Sequence, residues 1–137
     1  MVKIYTDGGC RGNPGPGAWA VVIYNGENPT FLGDYHPKTT NNQMELIALL
    51  EAIKWCSIND IPATIYSDSS YCVQGINTWM HAWNRGNWKK PKKNKELWKK
   101  VHQAYRNFNG NVYWVRGHNG NIGNEKADEV VKSLLDN

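Results

Sequence analysis

Of four acidic residues in this 137-residue chain, three stand where a strand would end or a helix begin, and the fourth lies within a helical pattern. Asp7 follows Val-Lys-Ile-Tyr-Thr and precedes Gly-Gly, and Asp68 follows Ala-Thr-Ile-Tyr-Ser and precedes Ser-Ser. Glu45 lies at the start of one helical pattern and Asp128 inside another, close to the C-terminus. Carboxylates brought together from distant points of a chain are the donor set of a hard divalent cation such as Mg²⁺. Two such ions ~3.5–4 Å apart can stabilise the attacking and leaving oxygens of an in-line displacement at phosphorus. Each acid also has an ordinary structural use. Asp68 before Ser-Ser-Tyr suits a helix N-cap, and Asn42-x-x-Glu45 fits a capping box. Asp7 before Gly-Gly suits a turn, and Asp128 a solvated helix face. Spacing alone does not bring the four together; the elements that carry them must.

Residues 2–7 alternate and are rich in β-branched and aromatic types, which predicts a strand. The run GGCRGNPGPG (8–17) reads as a turn or loop. Residues 18–24 and 30–35 read as two further strands, separated by Asn-Gly-Glu-Asn-Pro, so the three form an antiparallel meander. From Asn42 the period changes to that of a helix. Its faces are apolar through Met44, Ile47, Ala48, Ala52 and Trp55 and again through Leu46, Leu49, Leu50 and Ile53, the pattern of a helix packed between layers. Residues 63–67 predict a fourth strand and 69–77 a helix that continues to Arg85. A basic loop, a helix over 95–107, a fifth strand over 112–115, a glycine-rich loop over 116–121 and a last helix over 122–135 complete the chain. This order predicts an α/β fold: a mixed five-stranded sheet, three antiparallel strands then two parallel, with helices on both faces. Asp7 and Asp68 would then end parallel neighbouring strands, at the carboxyl edge where ligand sites gather. Asp128 falls at the border of the buried face made by Ala127, Val130, Val131 and Leu134.

Half of the sixteen lysines and arginines lie between Arg85 and Lys100, opposed only by Glu96. Lys89, Lys90, Lys92 and Lys93 form the densest part, and Trp79, Trp83, Trp88 and Trp98 are interleaved with it. Such a run is expensive unless it is solvated or faces an anion. It suits a nucleic acid whose phosphates the lysines neutralise and whose sugars or bases the rings touch. It equally suits a solvated helix anchored to the core by its tryptophans. No apolar run approaches the ~20 residues that span a bilayer, and the first residues carry no signal-peptide pattern. Cys10, Cys56 and Cys72 form neither a disulfide framework nor a zinc set, so a cytoplasmic, reducing setting is expected. The glycine-rich run lacks a P-loop's Gly-Lys-Ser/Thr ending and the spacing of a dinucleotide fingerprint, which excludes nucleotide binding there.

The blocks YTDGGCRGNPGPGAWA (5–20), TTNNQMEL (39–46), IYSDSSY (65–71) and VRGHNGNIGNEKADE (115–129) resemble, in order, the four signature blocks of type 1 ribonuclease H. The stretch WMHAWNRGNWKKPKKNKELW (79–98) resembles that family's basic protrusion, about residues 79–100 here. The resemblance spans nearly the whole chain and implies one ribonuclease H-like domain over 1–137. It implies an endonuclease that cuts the RNA strand of RNA–DNA hybrids, leaving 5′-phosphate and 3′-hydroxyl ends. It places metal ligands for two Mg²⁺ ions, or Mn²⁺ as substitute, at Asp7, Glu45, Asp68 and Asp128, and a turnover-assisting histidine at His118. Contacts to the RNA strand fall on Cys10, Asn13, Asn42 and Gln43; a DNA-phosphate grip falls on Thr40 and Asn41; an aromatic beside the DNA falls on Trp79. Gly9, Gln43 and Ser70 depart from the serine, arginine and glutamine more common in bacterial members. Short amides such as Asn13, Asn42 and Gln43 can donate to and accept from the 2′-hydroxyls in a hybrid's shallow minor groove. A free-standing monomer is expected. A non-catalytic hybrid-binding module has no use for carboxylates beside phosphates. An integrase-like strand transferase would share the fold type but not the basic protrusion or the NNQMEL block.

Overall fold

The computed structural model describes residues 1–26 and 28–137; Glu27, in the turn expected between the second and third strands, lies outside the described residues. Strands β1 (Val2–Cys10), β2 (Gly15–Tyr24) and β3 (Thr30–Thr39) come first, then α1 (Asn41–Asn59) and β4 (Ala63–Ser67). The short helix α2 (Ser70–Gln74) runs through a π-helical turn (Gly75–Trp79) into α3 (Met80–Arg85). Then follow α4 (Lys95–Tyr105), β5 (Gly110–Trp114) and α5 (Ile122–Asp136). The five strands form one sheet in the order β3-β2-β1-β4-β5. The pairs β1–β2 and β2–β3 are antiparallel, and β1–β4 and β4–β5 are parallel, as the alternation of strands and helices requires. Among the described residues no helix is long and apolar enough to cross a membrane.

Alternation along β2 divides the molecule into layers. Val21 and Ile23 face the main core with Leu46, Leu49 and Ile53 of α1, whereas Ala18 and Ala20 face Val131 of α5. Helix α1 is apolar around most of its circumference because it lies between the sheet and α4. Helix α5 covers the opposite face, over β1, β2 and β3.

Several local expectations are corrected. The run 8–17 is mostly strand: Gly8, Gly9 and Cys10 pair with Trp19, Ala18 and Gly17, leaving a tight turn at 11–14. Gly8 and Gly17, lacking side chains, let the hairpin extend beneath α1, while Gly9 faces Val131 of α5. Strand β3 likewise continues past residue 35 to Thr39. Neither expected acidic cap forms. Thr40, extended at φ −126°, caps α1 and accepts from the Gln43 N–H at 3.2 Å. Ser69 caps α2, accepting from the Cys72 N–H at 3.2 Å. Both are better-placed hydroxyls, and they leave Glu45 and Asp68 without a capping role.

The tryptophans of the basic segment anchor it. Trp98 is fully buried and its Nε1 donates to the Tyr71 hydroxyl at 2.9 Å. Trp83 packs edge-on against Trp98 with centroids 5.4 Å apart, and Trp88 packs on Trp83 and His102. Lys89, Lys90, Lys92 and Lys93, between these rings, stay exposed.

Candidate active site

Strand β1 carries Asp7 and the parallel strand β4 leads directly to Asp68, so the two acids emerge at the same edge of the sheet. Glu45, in the second turn of α1, reaches the same place. Each of the three offers a carboxylate oxygen, and these oxygens lie within 4.8 Å of one another. Asp128 approaches from α5. Its Oδ2 is 2.9 Å from Lys132 Nζ one turn along, while its charge still acts on Asp7. Three of the four expected acids therefore converge, and the fourth stands beside them in an ion pair.

Crowding of carboxylates in a partly dry place disfavours their charged forms. Burial first, then the charges of Asp68 and Asp128, push the Asp7 carboxyl up to about 8. Burial, then Asp7 and Asp68, drives Glu45 well above the ordinary carboxylate range. Glu45 Oε1 is buried and has no hydrogen-bond partner among the described residues. An all-oxygen donor set with net negative charge and an unpartnered buried oxygen fits a hard divalent cation, Mg²⁺ or Mn²⁺.

Beside the acids lies an open cleft of about 490 Å³ lined by Asn13, Thr40, Asn41, Asn42, Gln43, Lys93 and Asn94. Two elements build it. Asn13, at the tip of the β1–β2 hairpin, accepts from the Asn41 backbone N–H at 3.1 Å through Oδ1. Gln43 accepts from the Thr39 hydroxyl at 2.8 Å through Oε1. The hairpin is thus pinned to the first turn of α1, and the amides share the cleft with Lys93 and Asn94 of the loop before α4.

The sequence matches the RNase H family over residues 1–135. The chain belongs to the ribonuclease H family. It is 45% identical over 139 residues to the ribonuclease H of Cupriavidus metallidurans, covering 95% of this chain and 92% of that protein. It is 45% identical over 140 residues to that of Thermosynechococcus vestitus, covering 96% and 86%. Among solved structures it resembles LC9-RNase H1, described as a type 1 RNase H with the type 2 active-site motif. That likeness has a TM-score of 0.85 and 29% identity over 96% of this chain and 70% of that one. It also resembles LC11-RNase H1, solved in complex with an RNA/DNA hybrid, with a TM-score of 0.75 and 28% identity over 99% and 97%.

In this ribonuclease H the remaining expected site residues lie on several other segments. His118 is exposed in the loop after β5, with a left-handed backbone at φ 55°. Cys10 is half-buried, its thiol 3.2 Å from the carbonyl oxygens of both Gly15 and Thr39, where it ties the hairpin to the end of β3. Trp79 is half-buried against Tyr71 and Trp83. Lys89, Lys90 and Lys92 are exposed on the loop after α3, and Lys93 reaches the cleft. Two residues carry no sign of their place in the sequence pattern. Asn124 is buried beside Asp68, and Gly117 lies so near that an added Cβ would meet Asp68 Oδ2 at 2.8 Å. A lone asparagine in a helix and a glycine in a glycine-rich loop give no local signal of such a neighbour.

Proposed function

We propose that this ribonuclease H, an endonuclease that hydrolyses the RNA of RNA–DNA hybrids, works through two Mg²⁺ ions held by Asp7, Glu45, Asp68 and Asp128. Mn²⁺ would substitute. The observation that carries this reading is the convergence of Asp7, Glu45 and Asp68 oxygens within 4.8 Å, with Glu45 Oε1 buried and unpartnered. When bound, such ions lower the pKa of an attacking water and stabilise the departing 3′-oxygen.

The chain's own residues select and hold the substrate. Asn13, Asn42 and Gln43 line the cleft in which amides can read 2′-hydroxyls, with Cys10 beside the turn of the same hairpin, and those hydroxyls distinguish RNA from DNA. Thr40 and Asn41, at the start of α1, hold a phosphate of the DNA strand, with Lys93 lining the same cleft. Trp79 borders the DNA path. Lys89, Lys90, Lys92 and Lys93, in a protrusion spanning about 79–100, add sequence-independent attraction. His118, free to swing on its loop, assists turnover and release of the product. Cleavage leaves 5′-phosphate and 3′-hydroxyl ends. The chain acts as a monomer in the cytoplasm, and residues 1–137 form one domain. That LC11-RNase H1 was solved with an RNA/DNA hybrid supports this choice of substrate.

The test is cleavage of a labelled RNA–DNA hybrid beside matched RNA–RNA and DNA–DNA duplexes, with Mg²⁺ or with EDTA. Metal-dependent cutting confined to the RNA strand of the hybrid is the expected result. Tight hybrid binding with no cutting in either Mg²⁺ or Mn²⁺ would make the chain a binding module on a nuclease fold.

A further inference from the structure

Asn124 is 2% exposed, and its Nδ2 donates to Asp68 Oδ2 at 3.3 Å. It sits in the first turn of α5, where the N-cap Asn121 accepts from the Asn124 backbone N–H at 3.0 Å through Oδ1. The cap fixes the backbone of Asn124, so its side chain bridges α5 to the end of β4 from a rigid base. Two other residues beyond Tyr113 confine Asp68. Trp114 Nε1 donates to its carbonyl oxygen at 3.2 Å, and the bare Cα of Gly117 leaves room for Oδ2 but for no Cβ.

A carboxylate facing two others is repelled by them and, unless restrained, turns toward water. Outer partners of ligating carboxylates supply that restraint, and their loss typically costs ~10–100-fold in metal affinity. An amide suits this position because it donates without adding charge to an already crowded cluster.

We infer that Asn124 is a positioning residue: its side-chain N–H holds the Asp68 carboxylate turned toward Asp7 and Glu45, and so sets the affinity of this site for divalent cations. The inference rests on the reading of Asp68 as a metal ligand.

The test is calorimetric titration of Mn²⁺ into the wild-type protein, Asp68→Asn, Asn124→Ala and the double variant. Melting temperature and hybrid affinity in EDTA are measured alongside. Asn124→Ala should weaken Mn²⁺ binding ~10-fold or more while hybrid affinity in EDTA holds. In the Asp68→Asn background the same change should have no further effect, because Asn124 acts only through Asp68. Should Asn124→Ala fail to fold, Asn124→Leu keeps the branched outline and removes the donor, and it should weaken Mn²⁺ binding equally. Unchanged Mn²⁺ affinity in these variants, or an equal loss with Asp68 already replaced, would overturn the inference. Undiminished Mn²⁺ binding by Asp68→Asn alone would instead overturn the ligand reading of Asp68.

Discussion

Gly8 lies so close to α1 that a Cβ built on it would stand 2.4 Å from the backbone nitrogen of Glu45. The strand residue after Asp7 therefore touches the helix residue that supplies the second carboxylate. The missing side chain sets the distance between the two acids. Gly8→Ala should force β1 and α1 apart and cost about 1–3 kcal/mol, as overpacking does. Urea denaturation measures that cost, and Mn²⁺ titration of the folded variant should show weaker binding. An unchanged midpoint would mean that strand and helix separate freely.

The acids also make stability depend on pH when no cation is bound. Asp7 titrates at about 8 in the folded protein, against an ordinary carboxyl near 3.9 in the unfolded chain. Across that window the folded state holds more protons than the unfolded state, so stability falls as pH rises and levels off above about 8. Glu45 is shifted in the same direction and adds to the effect. In EDTA the urea midpoint should be higher at pH 5 than at pH 8.5. Mg²⁺ should restore more stability at pH 8.5, because cation and proton compete for the same oxygens. A midpoint that climbs between these two pH values would contradict the raised carboxyls.

Asp68→Asn removes one charge from the cluster while keeping the shape of the side chain. Fold and hybrid binding should survive, and cleavage in Mg²⁺ should fall by orders of magnitude. Fluorescence anisotropy with a labelled hybrid in EDTA separates the two effects. Cleavage at the wild-type rate would show that Asp68 is not a ligand.

Lys89, Lys90, Lys92 and Lys93 can be replaced by alanine together without disturbing the core, since all four are exposed. KM for a hybrid should rise steeply at moderate salt while kcat changes little. The slope of log affinity against log salt should drop by about 0.9 for each phosphate that is no longer neutralised. A slope equal to that of the wild-type enzyme would show that the protrusion does not meet the backbone.

Much of this molecule was legible from local pattern. The alternating run that became β1, the apolar and β-branched runs that became β2 and β4, the two-faced helix α1 and the placement of Asp68 after a strand all follow from which side chains can be buried at which spacing, whereas Asp7 lies inside β1, which runs on to Cys10. Capping was not legible in that way. Asn42, Asp68, Thr40 and Ser69 are all capping types, and the choice among them depends on which residue stays extended as the helix begins. That choice fell to the two hydroxyl residues and left the acids free.

Period, turn chemistry and residue type act within a few positions, so the order of elements, the mixed sheet and the identity of the acids were readable along the chain. The meeting of Asp7, Glu45 and Asp68 within 4.8 Å, with Asp128 paired to Lys132, came from the packed fold. The packing also turned Trp83, Trp88 and Trp98 of the basic segment toward the core and set Asn124 against Asp68 across 56 residues of chain. Such neighbours depend on strand register and on how closely a helix can approach a sheet, and no short window of sequence contains either.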